Sequence, residues 1–263
     1  MQLSGSTVLL TGATGGIGQA IARALGSAGA KLILTGRRSD VLQPLAAELG
    51  ATALAVDLAD RAAVDQLIID AGRVDVLVAN AALPASGRLE SYTQEQMDRA
   101  LEVNLRAPIA IAHALIPAMI ERGAGHLLFV SSLSGKAATP GSSLYSASKF
   151  GLRGFASGLR ADLRGDHVGV STIFPGFIRD AGMFADADVQ LPPGVGTRSP
   201  EDVAKAVVRA IEHNRAELDV APFALRAGTA FAGLAPELAA TFGRRMGAQK
   251  VSDQMEAGQR DKR

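Results

Sequence analysis

Short apolar runs and amphipathic stretches alternate along the chain. Seven runs, among them STVLLT, KLILTG and VDVLVA, have the length and near-continuous apolarity of strands that are buried on both faces. They occupy residues 6–11, 31–36, 51–56, 74–79, 125–131, 168–174 and 216–221. Helical patterns fill the intervals at residues 16–28, 40–49, 62–70, 94–105, 107–121, 144–163 and 200–214. Such alternation predicts parallel strands joined by right-handed helical crossovers.

This order predicts one α/β domain over residues 1–222, a Rossmann-type doubly wound parallel sheet of seven strands with helices on both faces. With 263 residues, 48% of them apolar, the chain can bury one large core. Residues 223–247 are predicted to form a helical extension of two short helices divided near Pro236. The polar residues 248–263 are expected to fray.

One apolar stripe runs along the predicted extension. It consists of Phe231, Leu234, Leu238 and Phe242. We expect this stripe to pack on the sheet domain or on a partner subunit. Contact of the same helices with a membrane surface is the alternative, which Arg226, Arg244 and Arg245 would favour.

Composition excludes several classes of function. The 27 Lys and Arg residues nearly cancel the 26 Asp and Glu residues, so the overall charge does not favour nucleic acid as a partner. The chain has no cysteine, and its four histidines do not have a metal-binding spacing, so neither disulfides nor a metal site are expected. The first residues, MQLSGSTVLLTG, do not resemble a secretory signal, and a cytoplasmic protein is therefore expected.

A glycine-rich turn, TGATGGIG at residues 11–18, lies between the first strand and the first helix. This is the position at which a Rossmann fold binds a dinucleotide. Glycine permits the sharp turn and lets the amides of the helix N-terminus approach a pyrophosphate. A glycine-rich turn without function is the alternative. The expected cofactor contacts are Gly12, Thr14, Gly16, Ile17 and Gly18.

The end of the second strand bears on the choice between NAD and NADP. An NAD site usually presents an acid here to the ribose 2′-hydroxyl, whereas this chain presents Arg37 and Arg38. A guanidinium can bind a 2′-phosphate through bidentate, charge-assisted hydrogen bonds. NADP(H) is therefore favoured over NAD(H). The alternative is that the arginines are merely solvated, and the nearby Asp40 keeps an NAD-preferring enzyme possible.

Three further segments carry polar side chains in a recognisable order. They are EVNL at residues 102–105, VSSLSG at 130–135 and YSASK at 145–149. Together with TGATGGIG they resemble the short-chain dehydrogenase/reductase family, in which TGxxxGxG precedes YxxxK. The resemblance covers about residues 5–221. It implies an NAD(P)-dependent oxidoreductase that acts on a carbonyl or a secondary alcohol.

The resemblance assigns catalysis to Asn104, Ser132, Tyr145 and Lys149, with Ser132 chosen because it lies thirteen residues before Tyr145. Positions i and i+4 of a helix face the same way, so we expect the Lys149 ammonium to lower the pKa of Tyr145 from about 10 toward neutrality. Tyr145 would then be the general acid or base, and Ser132 would hold the carbonyl oxygen. Lys149 would also bind the nicotinamide ribose, and Asn104 would anchor a water that relays protons to it.

The remaining cofactor contacts are also implied by the resemblance. They are Asp57 and Leu58 after the third strand, Asn80 in the segment ANAA and the backbone of Ile178. The chain departs from the family pattern in ANAA, where NNAG is usual, and in PGFIRD, where Asp180 replaces a common threonine. A carboxylate at this position would repel the pyrophosphate unless it turns outward or Arg179 compensates for its charge.

The segment at about residues 180–200 lies where a substrate lid is expected. With Ser132, the side chains of Leu144, Phe177, Met183 and Phe184 are predicted to contact the substrate, which favours a lipophilic ketone or alcohol. Ordinary core packing is the alternative. The family resemblance implies a homodimer or homotetramer formed through long helices at residues 101–121 and 144–163. A non-catalytic dinucleotide sensor or scaffold is the rival function.

Overall fold

The computed structural model describes residues 1–185, 187, 189, 191, 195–245 and 248–259. Within this part of the chain, seven parallel strands form one sheet. They are β1 (Thr7–Thr11), β2 (Lys31–Gly36), β3 (Thr52–Ala55), β4 (Val76–Ala79), β5 (Gly125–Val130), β6 (Val168–Pro175) and β7 (Glu217–Val220). Their order in the sheet is β3-β2-β1-β4-β5-β6-β7. From β1 the chain adds strands toward one edge, and from β4 it adds them toward the other, so the strand order reverses between β1 and β4. This switch point, at the carboxyl ends of the strands, is where open α/β sheets bind ligands.

Helices cover both faces of the sheet, and the predicted doubly wound fold is confirmed. The helices before the last strand are α1 (Gly16–Ser27), α2 (Ser39–Leu49), α3 (Arg61–Ala71), α4 (Gln94–Leu101), α5 (Ala107–Arg122), α6 (Ser143–Asp162), α7 (Gly182–Ala185) and α8 (Pro200–Glu212). One core joins α1, α2 and α8 to one face of the sheet, and a second core joins α3, α5 and α6 to the other. Successive residues of β1 divide between them: Val8 and Leu10 enter the first core, and Leu9 enters the second.

Helices α4 and α5 follow one another without a break, through a π-helical segment (Glu102–Arg106). The helical stretch from Gln94 to Arg122 is long and apolar enough to cross a membrane by length and composition alone. However, Ile111 and Met119 are buried in the second core against the sheet. The apolar character of this stretch is thus explained by its place inside the domain.

The chain after the sheet forms three more helices, α9 (Phe223–Leu234), α10 (Pro236–Arg245) and α11 (Ala248–Gln259). The division near Pro236 agrees with the prediction. The described side chains of the apolar stripe do not pack on the sheet domain, because Phe231 is 47% exposed, Leu234 87% and Leu238 65%. Packing of the stripe on a partner subunit stays a prediction. The side chains of Phe242, Arg244 and Arg245 lie outside the described part of the structure.

The prediction of a frayed tail is wrong for residues 248–259, which form α11; residues 260–263 lie outside the described part. Polar residues dominate this helix, but Val251, Met255 and Gln259 recur at the spacing of one helical face. Gln259 is almost completely buried, and its Nε2 donates to the carbonyl of Met183 at 3.1 Å. A narrow inward face therefore holds the helix in place.

Candidate active site

Glycines shape the turn between β1 and α1. A Cβ atom on Gly12, whose φ is 69°, would lie 2.7 Å from Cα of Ala81, and one on Gly18 would lie 2.1 Å from the carbonyl oxygen of Gly12. Asn80 braces the turn, because its Nδ2 donates to the carbonyls of Thr11 and Gly12, both at 3.1 Å. Other residue types would displace the backbone at these two glycines, so the turn is built for close approach.

Two arginines follow β2 at one end of the same cleft. The guanidinium of Arg38 donates to the carbonyl of Thr14, which fixes Arg38 above the glycine-rich turn. Arg37 is exposed and forms no hydrogen bond or ion pair with the other described residues, although its charge acts on Asp57. Both arginines line the cleft. The predicted pair of basic side chains thus lies beside the glycine-rich turn.

Asp57 is the one acidic residue among the described residues that line the cleft. Its Oδ2 accepts a hydrogen bond from Arg99 at 2.7 Å, and its Oδ1 accepts one from the amide of Ala59 at 3.1 Å. Partial burial acts to raise the pKa of Asp57, but these hydrogen bonds and the charges of Arg99 and Arg37 outweigh it and hold the pKa below its usual value. Asp57 therefore stays ionised and paired.

Ser132, Tyr145 and Lys149 meet at the carboxyl ends of β5 and β6. The Ser132 side chain lies next to Tyr145 and acts on its pKa, and its Oγ accepts a hydrogen bond from the amide of Ser134 at 3.1 Å. Lys149 is 1% exposed, and its Nζ donates to the carbonyl of Val130 at 3.0 Å and lies 5.7 Å from the centre of the Tyr145 ring. Three of the four predicted catalytic residues are therefore in one cluster that lines the cleft.

The predicted depression of the tyrosine pKa is wrong for the groups of the chain itself. Burial raises the pKa of Tyr145 to about 12, although the neighbouring Ser132 hydroxyl acts in the opposite direction. Burial also lowers the pKa of Lys149 to about 8. Both shifts have the same cause, since a low-dielectric environment disfavours the charged form of either group. Tyr145 is therefore protonated at neutral pH, the form that donates a proton.

Asn104 lies in the π-helical segment and is 1% exposed. Its Oδ1 accepts from the amide of Leu83 at 2.6 Å, and its Nδ2 donates to the carbonyl of the same residue at 2.9 Å. Leu83 lines the cleft, so Asn104 braces the cleft wall from behind. Single π-turns are frequent at functional sites. The role of Asn104 as a water anchor stays a prediction.

The cleft has a volume of about 950 Å³ and is continuous from the arginines, past the glycine-rich turn, to Tyr145. Comparison with known proteins gives this geometry a family. Residues 6–191 match the family model described as short chain dehydrogenase. The chain belongs to the short-chain dehydrogenase/reductase family. It is an NAD(P)-dependent oxidoreductase that acts on CH–OH or C=O groups.

Three relatives illustrate the range of this short-chain dehydrogenase/reductase family. Ketoacyl reductase HetN of Nostoc sp. (strain PCC 7120) is 35% identical over 227 residues, 83% of this chain and 79% of the relative. A structure of a short-chain dehydrogenase from Sphingobium yanoikuyae in complex with NADPH has a TM-score of 0.77 at 26% identity and covers 89% of this chain and 94% of its own. The closed form of serine dehydrogenase complexed with NADP+ has a TM-score of 0.72 at 29% identity, and the match covers 82% of this chain and 94% of that structure's chain.

The segment after β6 explains how this short-chain dehydrogenase/reductase accommodates Asp180. That side chain is 73% exposed and lies 3.4 Å from Nε of Arg179, so it turns outward and is also compensated. Ile178 pairs with Arg198 in a parallel bridge whose hydrogen bonds run from the amide of Arg179 to the carbonyl of Arg198 and from the amide of Arg198 to the carbonyl of Phe177. The bridge therefore does not use the amide and the carbonyl of Ile178 itself. Ile178 lines the cleft, as a carboxamide contact requires.

Apolar side chains gather at the other end of the cleft. The rings of Phe177 and Phe184 lie 5.1 Å apart, and Met183 lines the cleft beside them. The prediction that Leu144 contacts the substrate is wrong. Leu144 packs with Tyr92 in a small core cluster and is not among the described lining residues, because its position on α6 faces away from the cleft. Positions 186, 188, 190 and 192–194 of the expected lid lie outside the described residues.

The structure also adds residues that were not predicted from the sequence. Arg99 reaches Asp57 from α4, and no signal in the sequence links these two positions. Helices α9 and α11 contribute further residues to the wall of the cleft, namely Leu225, Thr229, Val251, Ser252, Met255 and Gln259. The recurrence of residues 251, 255 and 259 on one helical face was the available signal for α11.

Proposed function

We propose that this enzyme reduces a lipophilic ketone, or oxidises the corresponding secondary alcohol, with NADP(H) as its cofactor. The observation that carries the proposal is one continuous cleft with Ser132, Tyr145 and Lys149 in its wall and two arginines at its far end. The only described acid that lines the cleft is already paired with Arg99, so basic groups dominate the end that would receive a 2′-phosphate.

The residues present fit a bound dinucleotide. When bound, the nicotinamide supplies or accepts the hydride. The glycine-rich turn and the amides at the N-terminus of α1 would hold the pyrophosphate, since this is a favourable place for an anion. Arg37 and Arg38 would hold the 2′-phosphate, the backbone of Ile178 the carboxamide, and Lys149 the ribose hydroxyls. NADPH and NADP+ are the cofactors named in the two related structures.

Proton transfer falls to Tyr145. In reduction, Ser132 donates a hydrogen bond to the substrate oxygen, and Tyr145 transfers its proton to that oxygen as hydride reaches the carbonyl carbon. The phenolate that remains is stabilised by the Lys149 cation, 5.7 Å from the ring, until it takes up a proton from solvent. Alcohol oxidation uses the same contacts in reverse order.

The apolar end of the cleft supports a lipophilic substrate. Phe177, Met183 and Phe184 contact the space beyond Ser132, and α9 and α11 add Leu225, Val251 and Met255. No described lysine, arginine or carboxylate lines this end to anchor a charged substrate. A ketone with an extended apolar body buries this surface, which favours binding in proportion to the apolar area removed from water.

The test is a turnover assay with NADPH and a panel of medium-chain, aryl and cyclic ketones. Tyr145→Phe is expected to lose at least about 100-fold in kcat and to keep its affinity for NADPH, because only the proton donor is removed. Tyr92→Phe is the matched control, since Tyr92 is the other tyrosine of the chain and its hydroxyl donates to the carbonyl of Ser86. Full activity of Tyr145→Phe, or faster turnover with NADH than with NADPH, contradicts the proposal.

The same assay separates an enzyme from a dinucleotide sensor. A sensor binds NADPH but oxidises it with none of the ketones, in wild type and in Tyr145→Phe alike. Against the sensor, Lys149 is buried beside Tyr145, and a protein that only binds the dinucleotide does not need a cation placed to stabilise a phenolate.

The protein assembles as a homodimer or homotetramer in the cytoplasm, through the two long helices α5 and α6. Supporting this, Ile120 on α5 is 39% exposed and Phe150 on α6 is 41% exposed. Sedimentation velocity is expected to give a dimer or tetramer for wild type and smaller species for Phe150→Glu. A wild-type monomer that co-sediments with anionic lipid vesicles would instead support the membrane-surface role of the exposed stripe on α9 and α10.

A further inference from the structure

Helix α11 forms part of the wall of the cleft. Near its start, Ser252 lies against the loop that precedes α6: its Oγ is 2.1 Å from the position that a Cβ on Gly141 would occupy. At its end, Gln259 is bonded to the carbonyl of Met183 in α7. The helix thus joins the loop ahead of Tyr145 to the segment after β6. Val251, Ser252, Met255 and Gln259 all line the cleft.

Close backbone packing holds the end of this helix. A Cβ atom on Gly258 would lie 2.4 Å from Cα of Ala187 and 3.0 Å from its carbonyl oxygen. Side chains larger than hydrogen cannot occupy this contact without a shift of the backbone. The close packing of Gly258 on Ala187 therefore fixes the position of α11 beside the cleft.

Gln259 presents a buried hydrogen-bond acceptor. Its side chain is 1% exposed, and its Nε2 donates to Met183. Because a carbonyl can only accept, this bond fixes which end of the amide is the nitrogen. The remaining atom, Oε1, is buried and has no hydrogen-bond partner among the described residues. A buried amide oxygen without a donor is unfavourable, and a water or a ligand group that donates to it would supply the missing partner.

We infer that α11 is the outer wall of the substrate site and that Gln259 determines specificity by accepting a hydrogen bond from the substrate. The substrate class is then a ketone with an apolar body, packed against Val251 and Met255, and an O–H or N–H donor away from the reacting carbonyl. This inference rests on the proposed function, because it describes the substrate end of the same cleft.

The test compares matched pairs of ketones, each a hydroxyketone and its O-methyl ether. Wild type is expected to prefer the hydroxyketone by about 10-fold in kcat/KM, which is the discrimination that one buried hydrogen bond provides. Gln259→Met keeps the length of the side chain but removes Oε1 together with the bond from Nε2 to Met183, and the preference is expected to fall to about 1. Gln249→Met, on the exposed side of the same helix, is the control and retains the wild-type preference.

A titration with NADPH shows which ligand supplies the donor. Gln259→Met is expected to bind NADPH as wild type does. If it binds NADPH about 10-fold more weakly while its preference between the paired ketones is unchanged, the donor belongs to the cofactor, and the inference is overturned. A wild type that does not distinguish hydroxyketones from their ethers also overturns it.

Failure of the proposed function gives a different result. If wild type reduces no ketone of the panel, the proposed function fails, and calorimetric binding of the same pairs to NADPH-loaded protein still decides the role of Gln259.

Gly258→Ala tests the packing that holds α11 in place: it is expected to raise KM several-fold for both members of a pair. Gly165→Ala, which lies after α6 and meets nothing within 4 Å, leaves KM unchanged. Equal KM values in the two alanine variants contradict the inferred wall.

Discussion

Lys149 approaches Tyr145 through the face of its ring: Nζ lies 5.7 Å from the ring centre and donates its hydrogen bond to the carbonyl of Val130. The interaction between the two residues is therefore electrostatic and depends on charge that appears during the reaction. While Tyr145 is neutral, burial dominates and raises its pKa to about 12. Once the phenolate forms, the nearby cation stabilises it, which is most valuable in an environment of low dielectric constant.

This relationship predicts the pH dependence of alcohol oxidation. The base is the phenolate, whose fraction rises as pH approaches the tyrosine pKa from below, so the rate in wild type should increase with pH from neutral upward. Lys149→Met removes the cation and is expected to lower the rate most below about pH 8, where Lys149 is charged, so that the two profiles approach each other above the pKa of Lys149. The measurement that checks this prediction is the rate of alcohol oxidation by wild type and by Lys149→Met from pH 6 to about pH 10.

A matched variant controls for the loss of charge as such. Lys205 is exposed on α8, and Lys205→Met should reproduce the wild-type profile. Superimposable profiles for wild type and Lys149→Met would show that the lysine does not assist proton transfer.

The glycine-rich turn predicts a loss of binding that does not depend on cofactor type. In Gly18→Ala the added methyl group meets the carbonyl oxygen of Gly12, so the turn must open. Affinity for NADPH and for NADH is expected to fall together by at least about 10-fold, since both share the pyrophosphate. Gly158→Ala, in open space on α6, should leave both affinities unchanged and stabilise the helix by up to about 1 kcal/mol. Unaltered binding by Gly18→Ala would contradict the assignment of the turn.

Asn104 predicts an effect on stability that is separate from chemistry. Asn104→Leu leaves the amide and the carbonyl of Leu83 buried without their partners, at roughly 1–3 kcal/mol each. The free energy of unfolding should therefore fall by roughly 2–6 kcal/mol, even with the cofactor absent. Urea unfolding measures this directly. A loss below about 1 kcal/mol would mean that the contact with Leu83 is not a structural brace.

The alternation of apolar runs was sufficient to predict the seven strands, because strands buried on both faces leave a strong local signal. The order of the motifs likewise located Ser132, Tyr145 and Lys149, whose spacing is a property of the chain. The burial of a side chain, by contrast, cannot be obtained from spacing along the chain. The direction of the Tyr145 pKa shift and the inward position of Leu144 depend on what surrounds each side chain after folding. For the same reason, the mostly polar α11 was mistaken for a frayed tail.

The burial of His126 leads us to predict that the free energy of unfolding decreases in mild acid. It is buried in β5, with its Nε2 2.9 Å from Oγ of Ser171. Burial, together with the positive charges of the N-terminus and Arg160, lowers the pKa of His126 from 6.5 to about 3. The unfolded chain therefore binds a proton before the folded one does, and the contribution of His126 to stability is lost as pH falls from about 6.5 toward about 3.

A comparison of pH 7 with pH 5 isolates this group. The contribution amounts to about 2 kcal/mol at pH 5, at about 1.4 kcal/mol per pH unit. His126→Gln cannot titrate and should lose about that much less stability than wild type between the two values. Equal losses in urea unfolding would show that His126 is not the group responsible.

Paired fluorescence titrations with NADPH and NADH test the account's central claim most directly, because they require no knowledge of the substrate. Wild type is expected to bind NADPH at least about 10-fold more tightly, as two guanidinium groups at the end of β2 provide charge-assisted hydrogen bonds to a 2′-phosphate. Arg37→Ala should lose most of that preference and keep its affinity for NADH. Equal affinities in wild type, or tighter binding of NADH, would contradict the assignment of Arg37 and Arg38 and the NADP(H) dependence that follows from it.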